Sequence, residues 1–159
     1  MTEKEVPIDP YFIGLWLGDG SSRHPSITNV DSEIIDYIED LADKMNMRIS
    51  ISETRGVKTF KLVGKIGRGS SHKNFLLSEM KNLKLIQNKH IPSIYKSNSR
   101  DMRLKLLAGL VDSDGYVIKN CYEITQKSKK LAEDIRDLCR SLGFACFIAE
   151  CRKSCMYKG

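Results

Sequence analysis

The chain has 159 residues, of which 41% are hydrophobic and 29% charged, and it carries a net charge of +6. That length can bury one core or two small halves, and no apolar run reaches the roughly 20 residues a membrane-spanning helix needs. The N-terminal residues lack a secretory-leader pattern, which sets the expectation of an intracellular protein, in nucleus or cytoplasm. The five cysteines, Cys121, Cys139, Cys146, Cys151 and Cys155, form an odd, clustered set and are expected as reduced thiols. Cys151 and Cys155 have no histidine near them, so a zinc site is not expected.

In chain order, the first element is the apolar run from Phe12 to Gly20, long enough for two to three helical turns. A short strand follows around Ser26 and Thr28. Ile34, Ile38, Leu41 and Met45 then recur at helical spacing, with Asp36, Glu39, Asp40 and Asp43 pointing elsewhere. Residues 48–52 and 58–62 alternate with period two, and Arg55-Gly56 between them reads as a hairpin turn. The basic, glycine-rich stretch 64–71 lacks P-loop spacing and reads as a flexible connection. A second apolar run, Leu107 to Gly115, opens a copy of the same order. Shifting the chain by 97 residues matches Ile27 to Ile124, Ile34 to Leu131, Ile38 to Ile135 and Leu41 to Leu138, and it pairs Asp31 with Ser128 as N-caps. The acids at the ends of the two apolar runs align at 95, which sets the expectation of two extra residues in the first copy's loop.

Both apolar runs place small residues four apart: Gly14 and Gly18, then Gly109 and Ser113. Such residues share one helix face and let two helix backbones approach closely. If the runs pack together, Asp19 and Asp114 reach the same end of the seam. There they would face each other and the negative ends of both helix dipoles, an arrangement that calls for a cation. The pair therefore predicts a divalent-metal site. Two buried helices with Gly20 and Gly115 as C′ residues would explain the glycines, but not an aspartate at the last helical position twice.

The sequence Leu107-Ala-Gly-Leu-Val-Asp-Ser-Asp-Gly115 resembles the signature of the LAGLIDADG homing endonucleases. Phe12-Ile-Gly-Leu-Trp-Leu-Gly-Asp-Gly20 resembles the variant found in intein-borne members. The resemblance implies an α+β fold of two pseudo-symmetric halves, with antiparallel sheets forming a DNA-binding saddle and the motif helices packed at the centre. On this reading residues 1–96 form the first half, 97–103 a linker, and 104–159 an incomplete second half, because residue 159 aligns with Leu62. It also implies a monomer, with a dimer as the alternative, acting on a long, asymmetric duplex, with Mg²⁺ or Mn²⁺ held by Asp19, Asp114 and backbone carbonyls at Gly18 and Ser113. Double-strand hydrolysis leaving 3′ overhangs would follow, as the endonuclease part of an intein. Asp112 is the motif's other acid, opposite Leu17 in the first copy, and is expected to be structural or a helix-end hydrogen bonder. Lys89, in Lys89-His90-Ile91-Pro92, matches a Lys-x-Ile-Pro stretch whose lysine lies near the metal in related enzymes; Lys84 and Lys96 are alternatives of the same type. A DNA- or RNA-binding module that has lost cleavage is the competing expectation.

Charge is distributed unevenly. Residues 1–52 carry four Lys/Arg against ten Asp/Glu, residues 53–105 thirteen against three, and residues 106–159 nine against seven. A basic block on alternating strands suits a polyanion, since each neutralised phosphate releases condensed counterions. With Ile49, Ile51, Phe60 and Leu62 turned inward, Arg48, Ser50, Ser52, Thr59 and Lys61 face outward, where a curved ribbon can enter the major groove. Arg55, Lys58, Lys65, Arg68 and Lys127 complete the expected DNA contacts. The second half offers Glu123, Thr125 and Lys127, with Ala145, Phe147 and Ala149 where the first half has Arg48, Ser50 and Ser52.

Overall fold

The computed structural model describes residues 2–65 and 74–151. Arg68 and Cys155, both considered above, lie outside them. Helix α1 runs Pro10–Asp19. Its start is set by proline at the first helical position and by Asp9, whose carboxylate accepts from the Tyr11 and Phe12 amides. Strand β1 (Ser26–Thr28), helix α2 (Ser32–Lys44) and strands β2 (Met47–Thr54) and β3 (Val57–Gly64) complete the first sheet unit. The sheet is antiparallel, in the order β1-β3-β2. Arg55 (φ 55°) and Gly56 (φ 79°) form the β2–β3 turn. Two consecutive positive φ values are what a two-residue hairpin loop of matching twist requires. Ile34, Ile38, Leu41 and Ala42 of α2 are buried with Ile27, Phe60 and Leu62 of the sheet.

Helix α3 (Phe75–Asn82) and the single turn α4 (Ser93–Lys96) lead to α5 (Arg100–Asp114). Helix α5 already begins at Arg100, capped by Ser99, so most of the stretch expected as a linker is helical. Arg103 is drawn inward there, donating to the Asn98 and Ser141 carbonyls. Strands β4 (Gly115–Ile118) and β5 (Cys121–Ile124) then form a two-stranded sheet, and α6 (Lys129–Ser141) follows. The repeat is visible in α2 and α6, whose boundaries differ by 97 residues. Asp31 and Ser128 are their side-chain N-caps, and Leu131, Ile135 and Leu138 take the buried places of Ile34, Ile38 and Leu41.

Two expectations are corrected. Gly20 pairs with Ile27 and Gly115 with Ile124, so the additional two residues belong to the second copy, not the first. They serve the β4–β5 hairpin, which turns at Lys119 and Asn120, both with positive φ. Residues 144–151 form no strand among the described residues. Among the described residues of this half, β4 and β5 are the strands that pair. Ala145, Phe147 and Ala149 therefore sit on no sheet face, and Phe147 is 84% exposed.

Candidate active site

Helices α1 and α5 meet at backbone contact. A methyl group at Gly14 would collide with the Leu106 carbonyl and lie 2.9 Å from Gly109 Cα. One at Gly109 would strike the Tyr11 carbonyl and lie 2.8 Å from the Leu15 nitrogen. One turn further on, a Cβ at Gly18 would meet the Ser113 hydroxyl and come within 3.2 Å of Asp114 Cγ. The small residues predicted to line the seam line it, because nothing larger leaves room for the other backbone.

Both helices end at their aspartate, and the following glycine turns directly into a sheet: Gly20 bridges to Ile27, and Gly115 opens β4. These glycines are not left-handed caps. Their φ values are −77° and −82°, and glycine is required because a Cβ would run into the Trp16 and Val111 carbonyls of the preceding turn. The tight exit holds each carboxylate at the junction of seam and sheet.

At this junction Asn29 Nδ2 donates to Asp19 Oδ2 at 3.2 Å, and Gln126 Nε2 donates to Asp114 Oδ2. Sequence reasoning missed both amides, yet the 97-residue offset that matched Ile27 to Ile124 also pairs Asn29 with Gln126. Lys89 arrives from the loop between α3 and α4. Its Nζ donates to the Leu17 and Gly18 carbonyls at 2.9 and 3.0 Å and stands 5.2 Å from the Trp16 ring centroid. The ammonium thus offsets the negative end of the α1 dipole beside the two acids. Lys96, the alternative, pairs with Asp134 at 2.6 Å instead. Lys84 is exposed in the turn that precedes this loop, and its φ is 56°.

Burial pushes the Asp19 carboxyl up to about 6; the charge of Asp114 adds to the rise, and the Asn29 bond and Lys89 oppose it. Asp114 is also raised by burial, against the Gln126 bond and Lys89. Burial lowers Lys89, while Asp114 and Asp19 pull it back up. The two half-buried acids thus share one ammonium, which opposes the rise of both.

The residues fit a hard divalent ion. Among the described residues no group of three or more His, Cys, Asp or Glu could hold a metal, which leaves two carboxylates and neighbouring carbonyl oxygens. Mg²⁺ commonly binds through one or two carboxylates with substrate phosphates and water completing its shell. The Gly18 carbonyl already accepts from Lys89, and the Ser113 hydroxyl is turned into its own helix, donating to the Gly109 carbonyl. Asp112 accepts a hydrogen bond from the Tyr11 hydroxyl across the seam at 2.8 Å.

Cross-strand register places Thr28, Thr59 and Ser52 in one row, and Ser26, Lys61 and Ser50 in the next. Arg48 lies on the same face, opposite Val63. The first row starts beside the acids, since Asn29 follows Thr28, and Thr28 and Thr59 share a 2.7 Å hydrogen bond. Three expected contacts fall elsewhere. Lys58 pairs with Glu53 on the opposite face, that of Phe60 and Leu62. Lys65 reaches back to Asn46 at 2.7 Å, in an open groove with Glu39 and Asp43. Arg55 occupies the hairpin tip. Lys127 is exposed between β5 and α6. Ile51, expected in the core, is 56% exposed because the outer end of β2 runs beyond the residues that cover it.

Residues 90–156 match the family model described as homing endonuclease. A replicative DNA helicase DnaB of Mycobacterium intracellulare is 31% identical over 147 residues. The match covers 92% of this chain and 21% of the helicase, so the chain spans about a fifth of that relative's length. A mesophilic variant of the homing endonuclease I-DmoI superposes with a TM-score of 0.60 at 17% identity, covering 85% of this chain and 76% of that one. I-DmoI complexes with DNA and Mn, and with DNA and Ca, superpose with the same TM-score, identity and share of this chain, covering 77% and 71% of theirs.

Fold and site together define an α+β protein of two related halves, built about a helix seam that ends in paired carboxylates. The chain shares the fold of the homing endonuclease I-DmoI, and its residues 90–156 match the homing endonuclease family model. No helix among the described residues is long and apolar enough to cross a membrane.

Proposed function

We propose that this chain is the endonuclease unit of an intein, cutting both strands of a long, asymmetric DNA duplex by divalent-metal-assisted hydrolysis inside the cell. The observation that carries this reading is the convergence of Asp19 and Asp114 at one end of a single seam, with the Lys89 ammonium bonded to the last carbonyls of α1 beside them. One chain supplies both motif helices, so a monomer holds both acids. A relative of which this chain matches only about a fifth, and which is named as a helicase, fits an endonuclease unit carried inside a longer host protein.

Asp19 and Asp114 are the carboxylate ligands, held in orientation by Asn29 and Gln126. A bound Mg²⁺ or Mn²⁺ supplies Lewis acidity to the phosphodiester and to the attacking water. Lys89 is placed to orient that water or to stabilise charge developing on the phosphoryl oxygens. The open sheet face, with Arg48, Ser50, Ser52, Thr59 and Lys61, lies along the duplex and sets its register over the acids. Arg55 and Lys127 contact the phosphate backbone beyond it.

The test is incubation with a pool of random duplexes and Mg²⁺, followed by recovery of cut ends. Wild type is expected to enrich one site, with loss of cutting and retention of binding in Asp19→Asn and Asp114→Asn. Duplex binding with no metal-dependent cutting under any condition would instead identify a binding module on the same fold.

A further inference from the structure

Asp134 is a buried acid on α6 at a place where the helix otherwise presents Leu131, Ile135 and Leu138 to the core. Burying a carboxylate is costly unless its oxygens are bonded, and here both are. Oδ2 accepts from the Ile91 amide at 2.9 Å, and Oδ1 accepts from Lys96 Nζ at 2.6 Å. Both partners belong to the segment that carries Lys89. On its other side, the Gln87 amide donates to the Ser22 carbonyl at 2.7 Å. The lysine is thus presented from a loop pinned two residues before it to the first half and two residues after it to the second half. At the matching place on α2, 97 residues earlier, Tyr37 donates to Asp9, the N-cap of α1, at 2.7 Å. Each outer helix therefore grips a segment leading to the seam, and only in the second half is that segment the lysine loop.

We propose that Asp134 is a positioning residue for Lys89, so that the second half sets where the first half's lysine stands relative to the paired carboxylates. The proposal rests on the reading of Lys89 as the site's cation. Asp134 touches neither substrate nor metal; it acts by fixing the Ile91 amide and Lys96, and so the path of the chain through Lys89.

The test uses the full chain with Asp134→Leu and Asp134→Asn, and Lys89→Met as the benchmark. The first readout needs neither DNA nor metal. Trp16 is the chain's single tryptophan, and the Lys89 ammonium lies 5.2 Å from its ring centroid, so displacement of the lysine changes the emission. Asp134→Leu is expected to move the emission in the same direction as Lys89→Met, and Asp134→Asn, which keeps an acceptor for the Ile91 amide, by less. The second readout is single-turnover cleavage of the selected duplex. The rate is expected to fall by up to about 10²-fold while the duplex Kd stays within about twofold, as for a misplaced reacting group. Wild-type emission and rate in folded Asp134→Leu overturn the proposal, as does a parallel loss of binding and cleavage, which would mark a purely structural role. If Asp134→Leu does not fold, Asp134→Asn carries both readouts, and wild-type values there overturn it equally. Wild-type cleavage by Lys89→Met would overturn the role assigned to Lys89 instead, while the emission comparison would still decide the positioning.

Discussion

Asn29 and Gln126 stand in equivalent places of the two halves, and each donates a side-chain amide hydrogen to one of the two seam carboxylates. Each bond engages the Oδ2 oxygen of its acid. Partners of this kind around a metal site typically cost 10- to 100-fold when removed. Asn29→Ala and Gln126→Ala should each raise the Mg²⁺ concentration for half-maximal cutting by about that range, with little change in duplex affinity. An unchanged metal requirement in both variants would show that the amides do not orient the acids.

The seam tolerates no side chain at its centre. Gly109→Ala puts a methyl group against the Tyr11 carbonyl and the Leu15 amide. Backbone on the far side cannot move as a side-chain tip can, so the loss should be about 3 kcal/mol or more, the upper end of overpacking costs. Urea unfolding measures it. Gly56→Asn, at an open hairpin position with φ of 79°, should cost far less.

The pH dependence follows from Asp19. Its folded-state value of about 6 lies above the ordinary 3.8, so the folded protein holds this proton more tightly than the unfolded chain. That contribution to stability is complete below the unfolded value and is lost as pH rises through about 6. Without metal, Asp19→Asn should therefore show a flatter thermal-stability profile between pH 4 and 7.5 than wild type. Metal acts in the opposite sense, because its ligands must be deprotonated: Mg²⁺ should raise Tm at pH 7.5 and barely at pH 5. Equal Mg²⁺ shifts at the two pH values would rule out Asp19 as a ligand.

On the sheet face, Lys61→Ala and Arg48→Ala should weaken duplex binding. A residue that contacts a phosphate lowers the salt dependence of log K by roughly one unit and weakens all sequences alike, whereas a base reader also relaxes the recovered site. Lys58→Ala, on the opposite face beside Glu53, should change neither by a comparable amount. Binding as a function of salt distinguishes these outcomes.

The sequence carried the central geometry because its signals are local and duplicated. Gly14, Gly18, Gly109 and Ser113 report a close approach whatever surrounds them, and the repeat fixed α2, α6 and both N-caps. The β2–β3 alternation held for Phe60 and Leu62, where the sheet is covered, and failed at Ile51, where the hairpin outruns its cover. Lys65, just past the end of β3, turns its long side chain back to Asn46, a contact that periodicity does not encode. Asn29 and Gln126 escaped notice because they lie outside the motifs, and their shared role appears only when the seam brings the acids to them. Residues 144–151, which the repeat matches to β2, form no strand among the described residues.

Anomalous scattering from Mn²⁺ in crystals of the complex with the selected duplex tests the central claim most directly. The account predicts a peak within coordination distance of both the Asp19 and Asp114 carboxylates and a backbone phosphate, and its loss in Asp114→Asn. Manganese bound away from either aspartate, with the duplex seated on the sheet face, would contradict it.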